Sequence, residues 1–294
     1  MKVLSATDGS KHADEAAWLL ARLPHEETLE LTIMNVTPLL DFHGSTEVVD
    51  WIKKNAEAEK TRAVELCERV ANIFEGADAT IDTHVIEGHP GESIVAEAEA
   101  LKVDLIVLGA VGQNLIKRIL LGSVSDFVAT HASCSVLVVR QTGLHEPEHR
   151  DFGICLAYDN SPAASFAAYQ LAQFSWHGHT KLDAVSLLLF PLTYSEIPLD
   201  LDTDAIKTHM LQVLNDSKQQ MQDISPNAQM HVIDANHIGD GLINFAEKQR
   251  SDMIVLGNTG RGLLARVVMG SVSRYVLRHA HCSVWIARQR VKKS

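Results

Sequence analysis

The chain has 294 residues, 46 % hydrophobic and 21 % charged, which is enough apolar content for two ordinary cores. A formal net charge of −11 argues against nucleic acid or an anionic membrane as a partner. No apolar run approaches the ~18 residues of a membrane span.

The first half alternates strands and helices. Lys2–Ala6 is an apolar strand, and Thr7-Asp8-Gly9-Ser10 is a turn with helix-capping residues. A helix follows from Lys11 to Leu23, with Ala13, Ala16, Ala17 and Leu20 on one face. Leu29–Val36 is the second strand, and the stretch from Thr46 to Glu75 has helical periodicity. Strand Thr80–Glu87, the turn Gly88-His89-Pro90-Gly91 and a helix over Glu92–Leu101 come next. An apolar run ending at Leu108 enters the segment Gly109–Ser123, GAVGQNLIKRILLGS. A helix from Ser123 and a strand over Ser135–Val139 complete the unit, and residues 140–150 read as a linker.

The second half repeats the order. Its strands are Phe152–Tyr158, Leu182–Leu189, Met230–Asp234, the run ending at Leu256, and Ser283–Ala287. Helices are expected from Pro162, over Asp204–Asp223, over Asp240–Arg250 and over Ser271–Arg278. The glycine segment recurs as Gly257–Ser271, GNTGRGLLARVVMGS, with the same spacing: Gly, two residues, Gly, nine residues, Gly-Ser. Without a gap, residues 103–140 match residues 251–288 at 19 of 38 positions. A match of this length marks a duplicated domain. The expected domains are residues 1–143 and 151–294.

Alternating strands and helices call for a mostly parallel sheet with helices on both faces. The expected architecture is α/β: two tandem doubly wound parallel five-stranded sheets of order 3-2-1-4-5, packed as a pseudo-twofold pair through their last strands. In such sheets ligands bind beyond the carboxyl ends of the strands, where the order reverses. That point lies between strands one and four, so Asp8 should meet the first glycine loop and Asp159 the second. A glycine at a strand end permits a sharp turn and close approach to the peptide N–H groups. The Gly-Ser that opens the next helix offers N–H groups and a hydroxyl to an anion, phosphate above all.

These features resemble the universal stress protein family in its tandem two-domain form. The residues that carry the likeness are ATDGS and AYDNS after the first strands, the two glycine loops, and the closing His-Ala-x-Cys-x-Val segments. The Gly-Ser pattern is that of the family's ATP-binding branch. The resemblance implies an ATP-binding protein with a stress-response or signalling role and no dedicated catalysis, with slow hydrolysis left open. It implies that Asp8 and Asp159 contact the adenosine end, and that Val36 and, by alignment, Leu189 offer backbone groups to adenine. Gly109, Gly112, Gly122 and Ser123 would hold ribose and phosphates, as would Gly257, Gly260, Gly270 and Ser271, with Ser125 and Ser273 within reach. Arg261 adds a forked cation where the first loop has Gln113, so the second site is expected to hold triphosphate more strongly. Where the first half has Gly88-His89-Pro90-Gly91, the second has Asn236-His237-Ile238-Gly239 and departs from the family pattern.

Three rival chemistries are weighed. His131 with Cys134, and His279 and His281 with Cys282, have some metal-ligand spacing, but a structural zinc is disfavoured because the family shares these residues without metal. Mg²⁺ carried on nucleotide phosphates is preferred. Neither glycine loop is followed by a Walker-type lysine, and TDGSKH and YDNSPA lack the loop of ATP-pyrophosphatase enzymes. The alternative to nucleotide binding is an interaction module whose crevices are empty or hold another small ligand. A homodimer is compatible with the fold. The cysteines Cys67, Cys134, Cys155 and Cys282 lie far apart, and MKVLSATDGS has no signal-peptide apolar region, so a cytoplasmic protein is expected. The basic cluster Arg288, Arg290, Lys292 and Lys293 reads as a solvated terminus.

Overall fold

A computed structural model describes residues 1–23, 27–39, 46–112, 121–140, 151–174, 176, 180–189, 203–259 and 269–290. The chain divides into two compact units, the first drawn from Met1–Arg22, Glu27–Ile116 and Leu121–Arg140, the second dominated by Gln141–Ser294.

In the first unit the elements are β1 (Lys2–Ala6), α1 (Lys11–Arg22), β2 (Leu29–Thr37) and α2 (Thr46–Ala71), which runs into a 3₁₀ turn at Asn72–Phe74. Then come β3 (Ala79–Glu87), α3 (Pro90–Ala100), β4 (Leu105–Gly109), α4 (Ser123–His131) and β5 (Ser135–Val139). The strands are parallel in the order β3-β2-β1-β4-β5. β1, β4 and β5 are buried almost throughout because helices cover both faces, which is why they read as unbroken apolar runs. The register pairs Ala6 with Met34 on one side and with Leu108 on the other, so the ends of β1, β2 and β4 lie side by side.

The second unit has β6 (Phe152–Ala157), α5 (Pro162–Leu171), β7 (Thr180–Leu189), α6 (Thr203–Asp216), α7 (Lys218–Ile224) and β8 (Gln229–Ala235). It closes with α8 (Ile238–Lys248), β9 (Met253–Gly257), α9 (Ser271–His279) and β10 (Ser283–Ala287). Its parallel order, β8-β7-β6-β9-β10, repeats the first. Lys102 and Arg250, just past α3 and α8, both take left-handed backbone (φ 56° each), the conformation that ends a helix. Side chains at these two positions suit the negative helix end.

Three expectations need correction. The single helix expected over Asp204–Asp223 is two helices, broken at Ser217. Helices α3 and α8 begin at Pro90 and Ile238, two residues earlier than their acidic residues suggested; a proline suits a first helical turn because it has no N–H to satisfy. Arg140 and Arg288, assigned to a linker and to a solvated tail, are 4 % and 3 % exposed. Each directly follows a last strand, and the N–H groups of Ala110 and Asn258 bond to the Val139 and Ala287 carbonyls beside them, holding the chain in the sheet. Residues 141–150, Lys292 and Lys293 lie outside the described residues.

Candidate functional site

The turn after β1 is built from its own side chains. Thr7 N–H still bonds to the Met34 carbonyl at 2.9 Å, so the chain leaves the sheet only at Asp8. Asp8 Oδ1 then accepts the Ser10 N–H at 3.0 Å, and Thr7 Oγ1 accepts the Gly9 N–H at 3.2 Å. The turn needs left-handed backbone at Gly9 (φ 74°), which glycine takes without strain. Ser10 Oγ caps α1 by accepting the Ala13 N–H at 3.2 Å. The second unit repeats this: Asp159 Oδ1 to Ser161 N–H at 3.0 Å, Ser161 Oγ to Ala164 N–H at 3.2 Å, with Asn160 in the left-handed position (φ 60°). Asparagine is among the few residues that accept that conformation.

The glycine loop is pinned at its base. Gly122 N–H bonds to the Ala110 carbonyl at 2.7 Å, and Ser125 Oγ donates to the Gly109 carbonyl at 2.8 Å. In the second unit Gly270 N–H reaches Asn258 O at 2.7 Å, and Ser273 Oγ reaches Gly257 O at 2.8 Å. The hydroxyls of Ser125 and Ser273 are therefore turned onto their own loop carbonyls. Gly109 is required by packing as well as by turning: a Cβ there would stand 2.6 Å from the His12 carbonyl carbon, and one on Gly257 2.6 Å from Ala163 Cβ. Gly122 and Gly270 cap α4 and α9 with no side-chain bond, and Ser123 and Ser271 are exposed at the first helical positions.

In the first unit these parts enclose a crevice of about 590 Å³. It brings together all seven residues singled out there: Asp8, Val36, Gly109, Gly112, Gly122, Ser123 and Ser125. Gly112 faces the acid directly, since a Cβ on it would stand 2.7 Å from Asp8 Oδ2. Asn35 Nδ2 donates to the Thr7 carbonyl at 2.7 Å, and the β1–β2 register ends at Met34, so Val36 lies beyond it at the crevice edge. The crevice also has walls that motif spacing did not reveal. Glu59, Arg62, Ala63 and Leu66 of α2 form one, Pro90 and Ile94 of α3 another. The spacing i, i+3, i+4, i+7 in α2 was the available signal. Arg62 Nη1 pairs with Glu59 Oε1 at 2.9 Å on this exposed face.

The second unit differs. Tyr158, Asp159 and Asn160 there line a cavity of about 70 Å³ with Ser186 and residues of α6. Leu189 is not the counterpart of Val36. Tyr158 N–H bonds to Val185 O as Thr7 N–H does to Met34 O, which makes Leu187 the matching position. Leu189 pairs instead with Ala235 at the far end of β7 and is 45 % exposed. The two units keep the same count here, 34 − 7 = 27 and 185 − 158 = 27 residues, so counting from the first-strand aspartate gives Leu187 directly. Gly260 and Arg261, like Gln113, lie outside the described residues. His237, in the departing segment, accepts the Asp240 N–H at 3.2 Å and caps α8, while Tyr275 Oη donates to Asp240 Oδ1 at 2.6 Å. That bond raises the Tyr275 pKa.

Two of the three candidate ligand histidines, His131 and His279, are engaged locally. His131 Nδ1 is 2.8 Å from Phe127 O and His279 Nδ1 2.8 Å from Tyr275 O, each ring stacked on that same aromatic. Among the described residues no three His, Cys, Asp or Glu side chains gather as a metal site, and no helix is long and apolar enough to cross a membrane.

A family model, the universal stress protein family, matches residues 1–140 and again 153–288. A universal stress protein of Methanocaldococcus jannaschii is 35 % identical over 145 residues, 48 % of this chain and 82 % of its own. One from Mycobacterium tuberculosis is 24 % identical over 297 residues, spanning 98 % of this chain and 97 % of its own. The crystal structure of a universal stress protein from Archaeoglobus fulgidus covers 98 % of both chains with a TM-score of 0.65 at 21 % identity, a likeness of fold.

Proposed function

The chain belongs to the universal stress protein family in its tandem two-domain form, and from that premise we propose that its first unit binds ATP, with Mg²⁺ carried on the phosphates. The observation that carries the reading is the crevice of about 590 Å³ in which Asp8 stands against Gly112 at the switch point between β1 and β4. Its volume lies within the roughly 300–1,000 Å³ of small-molecule sites. The apolar walls from Val36, Leu66 and Ile94 suit a planar base. Asp8 would accept hydrogen bonds from the adenosine end. The phosphates belong at the start of α4, where Gly122 leaves backbone N–H groups uncovered by any side-chain cap and Ser123 adds a hydroxyl. Mg²⁺ would keep several waters and rest on phosphate oxygens.

The role that follows is a cytoplasmic stress-response or signalling protein whose nucleotide state alters its partners. Of the carboxylates lining the crevice, Asp8 is held by the Ser10 N–H and Glu59 is paired with Arg62, so neither is set as a dedicated base. Mass spectrometry of ligand released from freshly purified protein, with calorimetric titration of ATP and Mg²⁺, tests the reading. Nucleotide in the released fraction and saturable ATP binding support it. No released nucleotide and no binding heat up to millimolar ATP would leave an interaction module instead.

A further inference from the structure

We infer that Asn35 sets the choice of base in the first unit: its side-chain oxygen accepts from the 6-amino group of adenine, so 6-oxo purines are refused. The inference rests on the nucleotide reading above. Where β1 ends, Thr7 still gives its N–H to the Met34 carbonyl. In a continuing parallel ladder the Thr7 carbonyl would next take the Val36 N–H. It takes Asn35 Nδ2 instead, at 2.7 Å, so the ladder stops and the Val36 N–H is left to the crevice edge. The same bond fixes the Asn35 amide. A carbonyl only accepts, so the amino end must face Thr7 and the oxygen must point away from it. This is the one hydrogen bond of the Asn35 side chain among the described residues, and Asn35 lines the crevice.

The base belongs over this corner. The crevice crosses the strand ends in the order β2, β1, β4 and reaches the start of α4. With phosphates at the start of α4, the far end of the ligand lies over β2, between the apolar residues of α2 and α3. The other polar side chains there are engaged. Thr37 Oγ1 is 3.5 Å from Ile86 O and the residue is 7 % exposed, while Glu59 holds Arg62 at 2.9 Å. The end of β2 therefore presents a donor, Val36 N–H, beside an acceptor, Asn35 Oδ1. Adenine has the matching edge, with ring N1 to accept and the 6-amino group to donate. In hypoxanthine and guanine that edge is reversed, O6 accepting and N1–H donating, so each group would meet its own kind. Polar groups left unpaired in a sheltered site are costly, which makes the choice steep.

The test compares ATP with ITP, its 6-oxo counterpart, by calorimetry with Mg²⁺. The full chain carries Gly270→Asp, so that only the first glycine loop is intact. This parent should bind ATP about 10- to 100-fold more tightly than ITP. Asn35→Ala should bring the two affinities within about threefold of each other. Asn35→Ser is the second variant, should the first fail to fold, because Ser186 occupies the matching position of the second unit. An Asn35 that only closed the Thr7 carbonyl would weaken both ligands alike and keep the parent's ratio. That result in a folded variant overturns the inference, as does a parent that binds ITP as tightly as ATP; both leave nucleotide binding intact. A loss of preference for ATP over 2′-deoxyATP, with the ATP to ITP ratio unmoved, assigns Oδ1 to the ribose and also overturns it. No ATP uptake by the parent overturns the first-unit nucleotide reading and this inference with it.

Discussion

Gly112 lies so close to Asp8 that a Cβ on it would come within 2.7 Å of Asp8 Oδ2. The carboxylate is already anchored through Oδ1 to the Ser10 N–H, so a methyl group must either turn the acid or lift the loop. Gly112→Ala should weaken ATP binding by roughly tenfold, a change of ~1.4 kcal/mol. Gly112 is exposed, so the thermal midpoint should hardly move. Calorimetry and a melting curve on one preparation check both halves of the statement, and wild-type affinity would remove Gly112 from the site.

Gly109 carries a different constraint. Its missing Cβ would meet backbone, the His12 carbonyl carbon at 2.6 Å and Ala13 N at 2.8 Å, and backbone in a capped helix cannot step aside as a flexible side-chain end can. Gly109→Ala should destabilise the first unit by about 1–3 kcal/mol, in the range of overpacked cores. Urea titration followed by circular dichroism measures this directly. Stability unchanged from wild type would show that α1 can shift freely.

Ser125 Oγ donates to the Gly109 carbonyl at 2.8 Å from a nearly fully buried position. Ser125→Ala should cost about 1–2 kcal/mol of stability, for the lost bond and an undersatisfied carbonyl. ATP affinity should change by less than about threefold, well under one pKd unit. A tenfold loss of affinity at unchanged stability would mean that the hydroxyl serves the phosphate instead.

Burial pushes the Cys67 thiol up to about 11, with a backbone hydrogen bond at Asn35 acting against it and Glu68 acting with it. The folded state therefore holds this proton to higher pH than an unfolded chain, whose thiol titrates near 9. The sign follows by linkage: the stabilisation is complete below about pH 9 and is lost as the pH rises from there towards 11. Melting curves from pH 7 to 11 should steepen downward above pH 9, and Cys67→Ala should flatten part of that fall. Buried Cys155, whose pKa is raised further by desolvation, accounts for a remaining slope. Identical pH profiles for wild type and Cys67→Ala would contradict the assignment.

Much of this protein is written in local spacing. The strands announced themselves because a strand covered on both faces has no polar side to show, as in Leu105–Gly109 and Met253–Gly257. The turns were legible because Asp-Gly-Ser and Asp-Asn-Ser satisfy their own backbone within a few residues, so no distant partner is needed. The duplication and the meeting of Asp8 with the glycine loop followed from the repeat and from strand order.

Tertiary structure decided what spacing cannot express. Whether a crevice is open depends on volumes brought together from separate elements, and nothing local to AYDNS tells that Tyr158 turns inward to Ser217, 59 residues away. That Leu187, and not Leu189, is the counterpart of Val36 was by contrast legible, since Thr7 to Met34 and Tyr158 to Val185 both span 27 residues. The burial of Arg140 and Arg288 is a property of the sheet that holds them, because a charge at a chain boundary is solvated only if the backbone has already left the core.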